Sequence, residues 1–520
     1  MIGDDTIGSV LWSAAARHPE RPALLQSGQS WSFAELASRV RKLSGWLAAH
    51  GVTRGRHVAL LMENSHEFVT AHYALASLGA VIVPLNHLSR GTPLLEALDL
   101  SEATLIVATP ELRDALRSLP SRPAAVARCL LIGASRGSGL VPLALADPSR
   151  DFADAETLTL AELPDRPQLD VPGSDDPAVL FMTSGTTGKP KGIRVSHRQA
   201  LLGIDAWVRR WSYGVETISL MVAPFFHVVY HPLVVGAHRR GGAAAVVGNL
   251  QARAATREAE LSRASAIMGT PFFFIQLLND RTSLARDLGS IDTLIYGAAP
   301  TPASVIRALR EEFPAARLYN CYGLTETCSA VSCLGPEDLA GHEASVGRAH
   351  PGVRLSIRDE DGRELGVGEV GEVWCQGPNV IGSYYNAPEA NASRFHDGWL
   401  RTGDMGYLDP DALLYLVGRC DDQINIAGEK IYPCEIENVL YQHADVLDAA
   451  VSVVPDPQKG QLVKAFVVPR SSAGLELRGL KRFCLEHLPP TFVPRLFELV
   501  DALPRNPSGK VVRRSLAQAR

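Results

Sequence analysis

Short runs of β-branched and aliphatic residues alternate with amphipathic segments through the first two thirds of the chain. This alternation limits the possible folds more than any other feature. The runs "HVALLM" (57–62), "AVIVPL" (80–85) and "ATLIVA" (103–108) are short and bounded by polar residues, so they read as strands. Segments 7–17 and 32–50 carry apolar residues at three- and four-residue spacing and read as helices. The same texture returns in "ISLMVAP" near Ile218, "AAAVVG" near Ala243, "ASAIMGTP" near Ala264 and "DTLIYGAAP" near Asp292. Strands separated by helices predict parallel α/β layers. From about Ser345 the spacing tightens to "VRLSIRD", "GEVGEVWCQG" and "GYLDPDALLYLVG", a small β-rich unit with Gly and Asp turns. After Gly418, a helical "KIYPCEIENVLYQH" and strand-like "DAAVSVV" and "KAFVVP" predict a small α+β tail domain.

A length of 520 residues corresponds to about three folding units. The formal charge of −5 gives no general field for nucleic acid, so any recognition of anions must be local. The eight cysteines form no Cys-x-x-Cys pair, and Cys321, Cys328 and Cys333 lack zinc-finger spacing, which predicts reduced core thiols in a cytosolic protein. The start, "MIGDDTIGSVLW", is acidic where a signal peptide is basic, the final "QAR" is not a peroxisomal address, and no run of 18 apolar residues exists. A cytoplasmic enzyme without membrane or nucleic-acid partners is the expectation; monomer and homodimer both remain open.

One local stretch stands apart from this texture. "TSGTTGKPKG" (183–192) concentrates three glycines, several hydroxyls and two lysines in ten residues. Bare backbone N–H groups, hydroxyl donors and ammonium groups in one place suit phosphate. It is not a Walker A loop, because Thr183 occupies the position of the first glycine and Pro190 that of the magnesium-binding hydroxyl. Only eight of the 51 basic residues are lysine: two are in this stretch, and Lys510 is in a second Gly-Pro-Ser loop, "PRNPSGK". Lysine in a chain that habitually uses arginine points to a need for a compact, flexible cation.

Five segments then occur in one order: "FMTSGTTGKPKGIRVSH", "YGLTET" (322–327), "GWLRTGD" (398–404), "GRCDDQINIAGEKIYPCEIE" (418–437) and "NPSGKVVRR" (506–514). Together they resemble the adenylate-forming superfamily of acyl-CoA synthetases, nonribosomal-peptide adenylation domains and luciferases, nearest in look to stand-alone acyl- or aryl-CoA ligases. The likeness extends from "SWSFAEL" near Ser30 to Lys510. It implies an α/β fold: a large N-terminal domain (1–417) of two α/β subdomains (about 1–200 and 201–345) plus a small β-barrel (about 346–417), a hinge at 418–422, and a small mobile α+β C-terminal domain (423–520).

The resemblance also implies a chemistry. A carboxylate attacks the α-phosphorus of ATP, and cations must sit between the two anions. Thr183, Ser184, Gly185, Thr186, Thr187, Gly188 and Lys189 would cradle the β- and γ-phosphates, Thr325 the α-phosphate region, and Glu326 would bind Mg²⁺. Asp404 would accept the ribose hydroxyls, Gly297, Ala298, Ala299 and Tyr322 would wall the adenine slot, Asn320 would read the exocyclic amine, and Arg419 would contact the ribose and phosphate side. Lys510 would bridge carboxylate and α-phosphate. Asp421 matches the pivot of a rotation that brings Gly428 to line a thiol passage for CoA or a carrier-protein arm.

His227 matches a gate between the acid pocket and the thiol channel, with Tyr230, Cys321 and Leu324 as further pocket candidates. Family members commonly have glycine near Tyr230 and His231, so the bulkier pair here bears on pocket size. Amino-acid-activating members generally carry Asp where this chain has His227, which predicts an acid without an α-amino group. His231, four residues after His227, allows a metal pair, but no third ligand is near. A competing reading is a serine hydrolase, because "LLIGASRG" (130–137) satisfies Gly-x-Ser-x-Gly with Ser135; Pro142 and Pro148 stand where its helix should follow.

Overall fold

The computed structural model describes residues 5–132, 142–146, 156–159, 172–184, 190–426, 429–456, 460–471, 475–506 and 509–518. Ser135, Gly185, Thr186, Thr187, Gly188, Lys189 and Gly428 lie outside these residues, as does the side chain of Ser184.

The strand-like runs of the sequence assemble into two large sheets. Eight strands form the first, in the order Pro190–Ser196, Pro177–Ser184, Val81–Pro84, His57–Leu61, Leu105–Ala108, Arg128–Ile132, Pro142–Ala146 and Glu156–Thr159. Its middle strands pair in parallel. The second sheet has nine strands and a parallel centre through Ala243–Ala245, Ile218–Val222, Ala266–Gly269, Thr293–Gly297 and Arg317–Tyr322. Pro22–Gln26 and Gln29–Ser32, from the head of the chain, close this second sheet, with Leu24 opposite Ala244.

Alternation along each strand explains the layering. Val58 and Leu60 face a central core shared with the inner side of the second sheet, while Ala59 and Leu61 face an outer core beneath helix Gly91–Ser101. Helix His66–Ser77 fills the middle layer and is buried from Glu67 to Ser77, so no face of it turns to solvent there. Leu220, Val222, Ile267 and Leu294 point to the opposite core, under helices Ala252–Ser262, Pro271–Asn279 and Ala303–Glu312. The stack is thus helix, sheet, helix, sheet, helix.

A smaller antiparallel sheet follows, built on Arg354–Arg358, Gly371–Gln376, Trp399–Leu408 and Leu414–Arg419. The C-terminal part has its own core around Ile436, Leu440, Val451, Ala465 and Leu480, between a three-stranded sheet and helices Pro433–Leu440 and Leu477–His487. All eight cysteines are free. Among the described residues no helix is long and apolar enough to cross a membrane.

Candidate active site

Strands Ala266–Gly269, Thr293–Gly297 and Arg317–Tyr322 end together at one edge of the second sheet. The carboxyl ends of parallel strands are where such sheets bind ligands. Gly297 stands opposite Cys321, and a Cβ there would fall 2.2 Å from the Cys321 carbonyl oxygen, so only glycine permits this close ending. Ala298 follows in the left-handed region at φ +66 and turns the chain away from the edge toward Ala299. Asn320 is buried, and its Nδ2 donates to the Ser345 carbonyl at 2.9 Å. Its Oδ1 is then the atom left to accept an external N–H.

Asp404 ties the small sheet to this edge. The Tyr322 hydroxyl donates to Asp404 Oδ2 at 2.6 Å, and Arg419 Nη1 donates to Oδ1 at 2.8 Å. Asp404 and Arg419 are brought side by side by the pairing of their strands. Burial, then the Asp404 charge, push the Tyr322 phenol well above its ordinary value, so it remains a donor. Each carboxylate oxygen keeps a lone pair for a further donor.

Thr325–Thr327 form one tight turn after Tyr322, with Thr327 Oγ1 accepting from the Leu324 N–H at 3.0 Å. Cys328 and Ser329 follow at φ +50 and +67, two consecutive left-handed non-glycine residues. Each costs on the order of 1–3 kcal/mol unless held by its surroundings. The hold is visible: Trp207 Nε1 donates to Ser329 Oγ at 3.0 Å, and Asn379 Nδ2 donates to the carbonyls of Thr327 and Ala330 at 2.7 and 2.8 Å. The turn leaves Thr325 and Glu326 partly exposed. The Tyr384 hydroxyl donates to Glu326 Oε1 at 2.7 Å. Tyr384 was not singled out from the sequence; the only signal was a Tyr-Tyr-Asn after Gly382, which carries no charge pattern.

Thr183 and Lys191 are register partners in an antiparallel hairpin whose connecting residues are 185–189. Thr183 Oγ1 donates to the Lys191 carbonyl at 3.5 Å. The flanks of the glycine-rich stretch are therefore placed on rigid strands.

Lys510 enters from the C-terminal part. Its N–H bonds Asn506 Oδ1 and its carbonyl accepts from the Asn506 N–H, both at 2.9 Å. Gly509, at φ +79, lies against Thr270, where an added Cβ would be 3.1 Å from Oγ1. Thr270 caps helix Pro271–Asn279 just past the end of strand Ala266–Gly269, so Lys510 is carried over the strand ends. The side chain still meets solvent in the cleft, yet the protein around it lowers the ammonium pKa. Loss of hydration is the largest cause; Asp404 and Glu326 oppose it, and Arg419 adds to it. Four candidates from four motifs therefore share one electrostatic neighbourhood.

His227 belongs to the same neighbourhood: burial first, and the Lys510 charge second, push it down to about 4. Phe226, His227 and Val229 are the partly exposed residues of this segment, whereas Val228 and Tyr230 are buried. Phe226 and Val229 were not foreseen. Tyr230 packs its ring against Phe68, His72 and Phe225 in the central core, and its hydroxyl has no hydrogen-bond partner among the described residues. His231 Nε2 lies 3.3 Å from His72 Nε2, both buried. Among the described residues no three His, Cys, Asp or Glu side chains converge as a metal cage. Cys321 and Leu324 flank the edge, both partly exposed. Cys420–Asp422 form a short turn between the two parts, with Asp421 exposed and Asp422 3.6 Å from Arg513.

The comparisons with known proteins agree with this geometry. Residues 11–385 match the AMP-binding enzyme family, and residues 435–510 match the AMP-binding enzyme C-terminal domain. The chain is 31% identical over 522 residues to a fatty acid–[acyl-carrier-protein] ligase, ScoC, of Streptomyces coeruleorubidus, covering 96% of this chain and 94% of that protein. It is 31% identical over 509 residues to a feruloyl-CoA synthase of an Amycolatopsis species, covering 98% and 97%. The solved structure of O-succinylbenzoate coenzyme A synthetase (MenE) from Bacillus subtilis, in complex with ATP and magnesium ion, superposes with a TM-score of 0.81 at 28% identity, covering 98% of each chain. Fold and site define an adenylate-forming enzyme. The chain belongs to the AMP-binding enzyme family, whose members are AMP-forming acid–thiol ligases.

Proposed function

We infer that this enzyme activates a carboxylic acid without an α-amino group, aryl or medium aliphatic, as its acyl-adenylate with release of pyrophosphate. It then passes the acyl group to a thiol, CoA before a carrier-protein phosphopantetheine. The observation that carries the reading is the convergence of Lys510 with Asp404, Arg419, Glu326 and His227 at the carboxyl ends of parallel strands. A carboxylate oxygen attacking the α-phosphorus forms a P–O bond as the bond to pyrophosphate breaks, and negative charge accumulates between two anions. Lys510, in the field of Asp404 and Glu326, neutralises that charge.

Asn320 Oδ1 accepts from the adenine amine, Gly297, Ala298, Ala299 and Tyr322 bound its ring, and Asp404 accepts from the ribose hydroxyls beside Arg419. Thr183 to Lys189 hold the outer phosphates and Thr325 the α-phosphate. Glu326 suits Mg²⁺: that ion binds through one or two carboxylates plus phosphate oxygens and water, and the second oxygen of Glu326 has no protein partner among the described residues. Bound there, the ion would neutralise phosphate charge.

His227 is neutral at pH 7 and offers no carboxylate to an α-ammonium, which supports the acid class. For the second step Lys510 must withdraw; Asp421 is the proposed pivot, and Gly428 the lining of the thiol passage. CoA and carrier-protein acceptors are both represented among the named relatives. A carboxylate panel read by pyrophosphate release, with and without CoA, tests the reading. Fastest release with α-amino acids would overturn the acid class, and CoA-independent turnover with no acyl-CoA formed would favour a carrier protein or another nucleophile as acceptor.

A further inference from the structure

The second lysine of the glycine-rich stretch, Lys191, has no role in the scheme above. Its Nζ lies 5.4 Å from the ring centroid of Tyr384, over the ring face. The hydroxyl of that same ring donates to Glu326 Oε1 at 2.7 Å. One aromatic side chain therefore touches the exit of the phosphate loop on its face and the acidic turn at its tip.

The backbone around Tyr384 makes the same connection. Residues 379–385 bond to the acidic turn through Asn379 and through the Ile381 N–H, which donates to the Glu326 carbonyl at 2.9 Å. They bond to the strand and helix after the phosphate loop through the Tyr385 N–H, which donates to the Gly192 carbonyl at 2.8 Å, and through Gln199 Nε2, which donates to the Val380 carbonyl at 3.1 Å. Gly192 leaves room for this crossing: a Cβ there would lie a tight 3.1 Å from both Tyr385 and Leu180. Tyr384 itself is fixed from both sides: its N–H donates to Asn391 Oδ1 at 2.6 Å, and Asn391 Nδ2 donates to its carbonyl at 3.1 Å. Its side chain is buried.

We propose that Tyr384 is a positioning residue for Glu326, holding one carboxylate oxygen so that the other faces the metal-bound nucleotide, and that Lys191 fixes the ring from its opposite side. This rests on the reading of Glu326 as the magnesium carboxylate. A free carboxylate rotates between orientations, and each wrong orientation lowers metal affinity; one donated hydrogen bond from a rigid ring removes that freedom. The contact uses one oxygen only, which suits a group that has to keep the other for an ion.

The test measures Mn²⁺ affinity of the enzyme with a non-hydrolysable ATP analogue by electron paramagnetic resonance, beside Mg²⁺-dependent pyrophosphate release. Tyr384→Phe keeps the ring and removes the donor. It should weaken Mn²⁺ on the order of tenfold and raise the Mg²⁺ requirement similarly, with the melting temperature and the consumption of supplied acyl-adenylate unchanged. In a Glu326→Gln background the same substitution should add less than about twofold, because the two residues act through one contact. Lys191→Met should weaken Mn²⁺ about twofold, and Lys191→Arg should restore it. Wild-type Mn²⁺ affinity in Tyr384→Phe, or fully additive losses with Glu326→Gln, overturns the positioning role while leaving the adenylation reading intact. Absence of Mn²⁺–nucleotide binding in the wild-type protein overturns both.

Discussion

The two halves of the site are held in very different ways. Asp404, Tyr322, Arg419 and the turn of Glu326 are locked into the large domain by strand pairing and buried hydrogen bonds. The C-terminal part that carries Lys510 meets that domain through side chains: Gly509 on Thr270, the Arg505 guanidinium 4.2 Å from the Phe272 ring centroid, a bond from Arg470 to Asn279, Ser304 Oγ donating to the Tyr441 carbonyl at 3.3 Å, and Tyr441 and Leu447 packed on the outer core of the second sheet. A contact between side chains of two domains is compatible with relative motion, whereas strand pairing within a sheet is not. On the proposed reading the nucleotide half would persist, and the cation of Lys510 would be free to leave.

The largest expected effect breaks this contrast at its centre. Lys510→Ala should slow adenylate formation by about 10²–10³, a few kcal/mol of transition-state stabilisation, and should leave the use of supplied acyl-adenylate by CoA nearly normal. Pyrophosphate release and adenylate consumption read the two steps separately. Equal losses in both would show that the cation is as permanent as the carboxylates.

A smaller effect sharpens the contrast at the contact surface. Gly509→Ala puts a side chain at φ +79 and within 3.1 Å of Thr270 Oγ1. Adenylation should fall about tenfold, the equivalent of about 1.4 kcal/mol, with little change in thioester formation. The proof is the ratio of the two rates, since a general folding defect lowers both.

The same contrast explains what could be read from the sequence. The parallel strands were legible because both faces are buried, so Val58 to Leu61 are uniformly apolar. The family was legible because its motifs place particular groups at short spacing, and residues 11–385 and 435–510 match the two family models. The pairing of Pro22–Gln26 with Ala243–Ala245 was not, because it joins strands over 200 residues apart and leaves no local mark. Tyr384, and with it the contact of Lys191 on its ring, escaped for the same reason: the two meet only when the crossing segment brings them together. Nor does the sequence alone distinguish Phe226 and Val229 from Val228 and Tyr230, since a run of apolar residues does not say which side faces the cleft.

The smallest expected effect concerns His227, which sits between the two halves. The charged group that faces it is Lys510, and burial outweighs even that in pushing its pKa down to about 4. The folded value lies below the ordinary 6.5, so the folded chain favours the neutral ring. The stability this confers is present above pH 6.5 and lost progressively as pH falls toward 4. Adenylation should therefore show no limb near 6.5, and an acid limb due to His227 should appear only near 4. His227→Gln should change the rate at pH 7 by less than about threefold, since a neutral polar group replaces a neutral polar group. Removing the cation in Lys510→Ala should move the His227 titration upward, a shift readable from its ring carbon resonance, because the repulsion from Lys510 is then gone. A limb near 6.5 that disappears in His227→Gln would mean that water reaches His227 freely, and the cleft beneath Lys510 would then be far more open than the contact of Gly509 with Thr270 implies.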